Sequence, residues 1–228
     1  MNLAIFDLDH TLISCDTEVC WIDFLHRRAL LDDDFLQRRD ALFDQYADGS
    51  VDADEFVRFQ LSSLTPFKRR DLEALYPEFL QTFILPAVYP QALELVDKHR
   101  RQSDRLLLLS ASNEFLIRPI AAEFGISHII GVIPEEDGNG GFSGNVCGTA
   151  SFREGKITRL HQWLAQHGRT LNDFGQCWFY SDSVNDLPLL HQVNRPVAVN
   201  PDPKLAATAT AQGWPVLHFA HAAPQKAV

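Results

Sequence analysis

The stretch Met1-Asn2-Leu3-Ala4-Ile5-Phe6-Asp7-Leu8-Asp9-His10-Thr11 decides how the rest of the chain is read. Leu3 to Phe6 form a short apolar run that breaks off into Asp7 and Asp9. Such a run predicts a buried strand of a parallel sheet that stops at a site. If the backbone stays extended through Asp9, positions i and i+2 project to one face. Two carboxylates then converge at the carboxyl end of a strand, where open α/β sheets hold their ligands. A hard cation such as Mg²⁺ offsets their repulsion. The plainer alternative is a strand followed by an Asp-rich turn.

The residues after Thr11 change character. From about Asp16 to about Phe83 the apolar spacing is helical, with Val19, Ile22, Phe24 and Leu25 close to one stripe and Phe56, Phe59, Leu61 and Leu64 on another. Asp48-Gly49-Ser50 reads as a turn, and Asp52 or Asp54 as the cap of the next helix. Roughly seventy residues of helix are too many for a plain βα connection, which takes only a few residues outside its helix. The expectation is an α/β core built from residues 1–15 and 86–228, with a helical insertion at 16–85.

Two more strand exits carry polar residues. Arg105 to Leu109 is a second buried run, ending in Ser110-Ala111-Ser112-Asn113. These small residues are read as opening the helix Phe115 to Phe124, either as an anion site of backbone N–H groups with a serine hydroxyl or as a simple N-cap. Ile126 to Val132 is a third strand, and Gly138 to Gly148 a hairpin or loop. Lys156 stands at the start of the helix Ile157 to His167, where the helix dipole disfavours a cation. Cys177 to Tyr180 is a fourth strand, running into Ser181-Asp182-Ser183-Val184-Asn185-Asp186 and the short helix Leu187 to Leu190. Val197 to Val199 is a fifth, Trp214 to Phe219 a last strand or extended tail, and Ala220 to Val228 a frayed end.

Composition narrows the function. The 228 residues are 46% hydrophobic and carry a formal charge of −10. That balance argues against a nucleic acid or an anionic membrane as main partner, though not against a small anion in a local pocket. Cys15, Cys20, Cys147 and Cys177 show no C-x-x-C or zinc spacing and read as reduced thiols. Asp7 and Asp9 interrupt any N-terminal apolar signal, and no apolar stretch is long enough to span a bilayer. The expected setting is cytoplasmic.

Taken together, D-x-D-x-T, S-x-S and D-x-x-x-D at successive strand exits, with a lysine between the second and third, resemble the haloacid dehalogenase superfamily of Mg²⁺-dependent phosphotransferases. The resemblance is to the branch containing phosphoserine phosphatase, with a C1-type helical cap inserted after the first motif of a Rossmann-like core. It covers nearly the whole chain. It implies Asp7 as the nucleophile, Asp9 as general acid/base, and Lys156 as the lysine that holds nucleophile and phosphate. Ser110, Ala111, Lys156 and Asn185 are implied to bind the phosphoryl group. Asp7, Asp182, Asp186 and the Asp9 carbonyl are implied to hold Mg²⁺, with Asp186 acting through water. An Asp at position 9 favours phosphomonoester hydrolysis over haloacid or phosphonate chemistry.

The chain departs from that pattern in the cap. Asp16, with Glu18 nearby, matches the acidic residue that meets the substrate amine in phosphoserine phosphatases. Gln60 falls where those enzymes have an arginine for the substrate carboxylate. Arg58 lies two residues earlier, and i and i+2 face different ways on a helix. The expected substrate is a small phosphorylated metabolite with an amine or hydroxyl, histidinol phosphate before phosphoserine, handled by a monomer or homodimer. Transfer to an acceptor alcohol is the alternative reaction. A non-catalytic binding protein is disfavoured because Asp7, Asp9, Lys156 and Asp182 are all present.

Overall fold

A computed structural model describes residues 1–48 and 52–221. Gly49 and Ser50 of the expected turn, and residues 222–228 of the expected frayed end, lie outside the described residues.

One sheet contains β1 (Leu3–Phe6), β2 (Arg105–Asn113), β3 (His128–Val132), β6 (Cys177–Ser181), β7 (Arg195–Val199) and β8 (Val216–Leu217). Between β3 and β6 the chain makes a separate antiparallel hairpin, β4 (Pro134–Glu136) and β5 (Phe142–Val146). The six strands lie in the order β3-β2-β1-β6-β7-β8, and every pairing is parallel. The chain winds outward from β1 to β3, then outward again from β6 to β8. The direction reverses between β1 and β6, and a crevice opens at the carboxyl ends of strands at such a switch point. The two exits richest in carboxylates, after β1 and after β6, are the ones that meet there.

Among the described residues the α-helices are α1 (Thr17–Arg27), α2 (Asp33–Asp48), α3 (Ala53–Ser62), α4 (Arg69–Phe79), α5 (Pro90–Arg101), α6 (Glu114–Glu123), α7 (Glu154–Gln166), α8 (Leu187–Leu190) and α9 (Pro203–Gln212). The period-2 alternation of β1 serves two cores. Leu3 and Ile5 pack with residues of α7, α8 and α9; Ala4 and Phe6 pack with residues of α1, α4, α5 and α6. A smaller cluster of Ile22, Leu42, Phe56 and Phe59 joins α1, α2 and α3.

The helical segment leaves and returns at one place. Ile13 bridges Val88 antiparallel, Ser14 N–H donates to Ala87 O at 2.8 Å, and Tyr89 N–H donates to Leu12 O at 3.2 Å. Helix starts follow their capping residues: Asp16 accepts from Val19 N at 2.9 Å, and Asp52 from Glu55 N at 2.9 Å. The far end of the segment is fastened to the hairpin, where Arg69 N–H donates to Gly140 O and Lys68 Nζ to Asn139 O.

Three elements differ from the sequence reading. The strand β2 does not stop at Leu109 but runs on through Ser110-Ala111-Ser112 to Asn113, which caps α6 by accepting from Leu116 N. Pairing with β3 as far as Asn113 and Val132 keeps this segment extended. Helix α7 begins at Glu154, so Lys156 lies inside its first turn. The final strand is only Val216–Leu217.

Candidate active site

At the switch point Asp7, one residue beyond β1, is held by its N–H to Tyr180 O at 3.0 Å. The Tyr180 ring in turn stacks on Phe6, and its hydroxyl meets His99 Nε2, whose Nδ1 is paired with Asp104. Asp7 is 6% exposed, and its Oδ1 accepts from Lys156 Nζ at 3.0 Å. Lys156, 3% exposed, donates also to Asp186 Oδ2 at 2.8 Å, and Ser181 Oγ donates to the same oxygen at 2.6 Å. One ammonium therefore bridges two buried carboxylates.

The electrostatics follow. Burial pushes the Asp7 carboxyl up; Lys156 pulls it back only in part, and Asp186, Asp182 and Asp9 push it further. Asp182 rises to about 7 through burial and the neighbouring Asp186. Burial opposes the charge on Lys156, but Asp186 and Asp7 outweigh it and hold the ammonium above its ordinary range. The cluster is short of positive charge, as a site built to receive a cation is.

The first motif is tied to the fourth by a reciprocal pair. Thr11 Oγ1 donates to Asp182 Oδ1 at 3.0 Å and accepts from Asp182 N at 3.0 Å. Asp9 joins the helical segment to β2. Its Oδ1 accepts from Thr17 N at 2.8 Å and from Thr17 Oγ1; its Oδ2 accepts from Ser112 Oγ at 2.7 Å and Ser110 Oγ at 3.3 Å.

A cavity of about 840 Å³ opens over this cluster. Asp7, Asp9, Asp16, Gln60, Ala111, Lys156, Asp182, Asn185 and Asp186 all line it, so the structure brings most of the expected residues together. Three expected residues lie off it. Ser110 is fully buried, receiving Ser112 N–H on its Oγ, and Ser112 lines the cavity beside Ala111. Arg58 is exposed on the outer face of α3, in a groove with Arg38, Asp52 and Asp54, because residue 60 takes the inward face. Glu18 is 1% exposed and turned toward the core; its Oε1 accepts from Asn113 N and Asn113 Nδ2, both at 2.9 Å.

Glu18 is thus a tie between α1 and the end of β2. Burial lifts its carboxyl from 4.5 to about 8, against the pull of the Asn113 hydrogen bonds. Its Oε2 has no hydrogen-bond partner among the described residues. Between those two values the folded state holds a proton that the unfolded state has released, so stability falls as pH rises through the window. Glu18→Gln keeps an acceptor for Asn113 and has nothing to ionise. Its melting temperature is expected to lose less between pH 5 and pH 8 than that of the wild type, by an amount of order a few kcal/mol in stability at the upper end. Thermal melts across that range check this; parallel curves for the two proteins would contradict it.

Several cavity residues escaped the sequence reading. Cys15 and Cys20 line the cavity, as do Phe43, Phe56, Phe152, Arg153 and Lys204. Ser112 had a legible signal, since it shares a strand face with Ser110; the aromatic residues had none. Arg153 has a left-handed backbone, φ 49°, and its Nε donates to Asn185 Oδ1 at 3.2 Å. Gly155 lets the chain turn tightly before Lys156: a Cβ there would sit 1.9 Å from Ala150 O. Gly155→Ala is expected to destabilise the fold by about 2–4 kcal/mol and to displace Lys156. Denaturant unfolding and an activity assay on the same preparation check it.

A six-stranded parallel sheet with this site at its switch point is the fold of the haloacid dehalogenase-like hydrolases. The model of that family matches residues 4–191, and the chain belongs to it. Among its relatives is a protein named histidinol-phosphatase from Neisseria meningitidis serogroup C (strain 8013), 44% identical over 219 residues, which are 96% of this chain and 99% of the relative. A solved structure from Bordetella pertussis Tohama I, of a protein of unknown function, is 43% identical with a TM-score of 0.90, covering 95% of this chain and 97% of that one. A phosphoserine phosphatase solved as a phospho-aspartyl intermediate analogue shares the fold, with a TM-score of 0.66 at 16% identity, covering 95% of this chain and 92% of that one. Among the described residues no helix is long and apolar enough to cross a membrane.

Proposed function

We propose that the protein is a Mg²⁺-dependent phosphomonoester phosphatase that works through an aspartyl-phosphate on Asp7, with histidinol phosphate as substrate. The observation that carries the reading is the buried Asp7–Lys156–Asp186 bridge at the floor of the cavity, with Asp9 beside it. The 44% identical relative named histidinol-phosphatase supports the substrate. Residues 16–85 act as a cap on a core of 1–15 and 86–228, entering and leaving through the paired crossing at Ile13 and Val88.

An Asp7 carboxylate oxygen attacks phosphorus, and the bond from phosphorus to the substrate oxygen breaks. Asp9 gives its proton to the departing alkoxide. It then takes a proton from a water molecule that attacks the same phosphorus, and Asp7 is released with inorganic phosphate. Lys156 keeps the nucleophile in place and offsets charge on the phosphoryl oxygens. Asp9 holds contacts to Thr17 on one side and Ser112 on the other, so its position depends on α1 lying against the end of β2.

The donor chemistry fits Mg²⁺. Among the described residues no three His, Cys, Asp or Glu side chains converge as a metal-holding group. A cation here would take the carboxylates of Asp7 and Asp182 and the Asp9 carbonyl, with water and substrate phosphate filling the rest, as Mg²⁺ commonly does. When bound, it supplies charge neutralisation at the phosphoryl oxygens. Asp186, committed to Lys156 and Ser181, stands behind that set.

The test is phosphate release from a panel containing histidinol phosphate, phosphoserine and p-nitrophenyl phosphate, with and without EDTA. The expected result is release that EDTA abolishes and Mg²⁺ restores, with histidinol phosphate hydrolysed best. Release unaffected by EDTA would remove the metal, and phosphoserine as best substrate would remove the substrate assignment.

A further inference from the structure

Resting on the phosphatase reading above, we infer that Phe56 and Phe152 are the specificity-determining pair of this enzyme. They form the slot that receives the flat heteroaromatic ring of the substrate's leaving group.

The two rings come from opposite sides of the cavity. Phe56 is on α3, in the helical segment; Phe152 is in the loop before α7, four residues ahead of Lys156. Both line the cavity that holds Asp7. Their ring centroids are 6.4 Å apart and their planes are tilted by 32°. A planar ring sandwiched between two others needs two carbon contact distances of about 3.5 Å each, about 7 Å in all. As they stand the two rings are in direct aromatic contact, so admitting a flat ring means parting them and levelling their 32° tilt.

Each ring has a second neighbour on the cavity wall. Phe43, on α2, meets Phe56 edge-on with centroids 5.1 Å apart and planes at 62°. The Arg153 guanidinium lies 4.9 Å from the Phe152 ring centroid, and the same side chain is tied to Asn185. Two aromatic rings that line the cavity from the helical segment and from the core discriminate by shape and by π contact, where hydrogen bonds alone would accept any polar leaving group. The slot spans the helical segment and the core, so it is complete only while the segment lies over the site. Ring binding and closure are then one event, and occupancy of the slot helps to place the phosphoryl group against Asp7.

The inference is tested with Phe152→Leu and Phe152→Tyr in the full-length enzyme. Residue 152 is half-buried, and leucine is close to phenylalanine in size. Two constants are measured for each protein: KM for histidinol phosphate, and Ki for inorganic phosphate, which engages only the phosphoryl end of the site. Losing one aromatic face is expected to raise the ratio KM/Ki about fivefold to tenfold in the Leu variant. The Tyr variant keeps the ring and is expected to hold the ratio within about twofold of the wild type. A Leu variant with the wild-type ratio, or Leu and Tyr variants with the same altered ratio, would overturn the slot while leaving the phosphatase reading in place. A wild type that releases no phosphate from histidinol phosphate overturns the substrate reading and the slot with it.

Discussion

Asp7→Asn is expected to reduce phosphate release by about 10⁴-fold or more and yet to leave the protein folded. The loss of activity follows from chemistry: an amide oxygen does not form the acyl-phosphate bond. The retention of fold follows from the surroundings. Asp7 is buried, and it shares its region with the charges of Asp186, Asp182 and Asp9. Asparagine at the same place still offers an oxygen to Lys156 Nζ, and it removes one member of a crowded set of carboxylates. The melting temperature of the metal-free variant is therefore expected to equal or exceed that of the wild type. Differential scanning calorimetry beside the activity assay checks both halves. A folded Asp7→Asn protein with wild-type turnover would end the aspartyl-phosphate mechanism.

Lys156→Met removes the other end of the same contact and is expected to have the opposite effect on stability. It leaves Asp7 and Asp186 buried without their shared cation, 6% and 2% exposed. Removing one partner of a buried ion pair costs about 3–5 kcal/mol, because the charge left behind is uncompensated. For a chain of this size that is a fall of roughly 10 °C in melting temperature. Activity is expected to fall too, since Lys156 holds the proposed nucleophile Asp7. Adding Asp186→Asn to Lys156→Met is expected to restore part of the stability without restoring activity. That separates the electrostatic role of the lysine from its role in the reaction. A Lys156→Met protein as stable as the wild type would mean that the two carboxylates are not charged together in the folded protein.

The two predictions show how unevenly the site was written into the sequence. Asp7, Asp9, Asp182 and Asp186 were legible because they fall at the exits of two apolar runs. A strand exit of a parallel sheet is a local event, and a local pattern is enough to place it. Lys156 was legible by resemblance and by its odd position at a helix start. Gln60 was separated from Arg58 by the helical period alone, and the structure puts only Gln60 on the cavity. The serines were harder. Read as a helix start, Ser110 was the natural anion ligand; in extended β2 it shares a face with Ser112, both hydroxyls reach Asp9, and Ala111 and Ser112 line the cavity while Ser110 lies buried beneath them. Pairing with β3 keeps that segment a strand, and β3 lies fifteen residues or more further along.

The sequence by itself determined the parallel core, the long helical insertion and the carboxylates at two strand exits, since all of these rest on apolar period and on what immediately follows it. The tertiary structure alone decided which neighbours each side chain meets. It turned Glu18 away from the cavity onto Asn113, brought Lys156 between Asp7 and Asp186, and set Phe56 opposite Phe152. Periodicity says which face of a helix is apolar. It does not say which surface that face will cover, because that choice is made by packing between segments far apart in the chain.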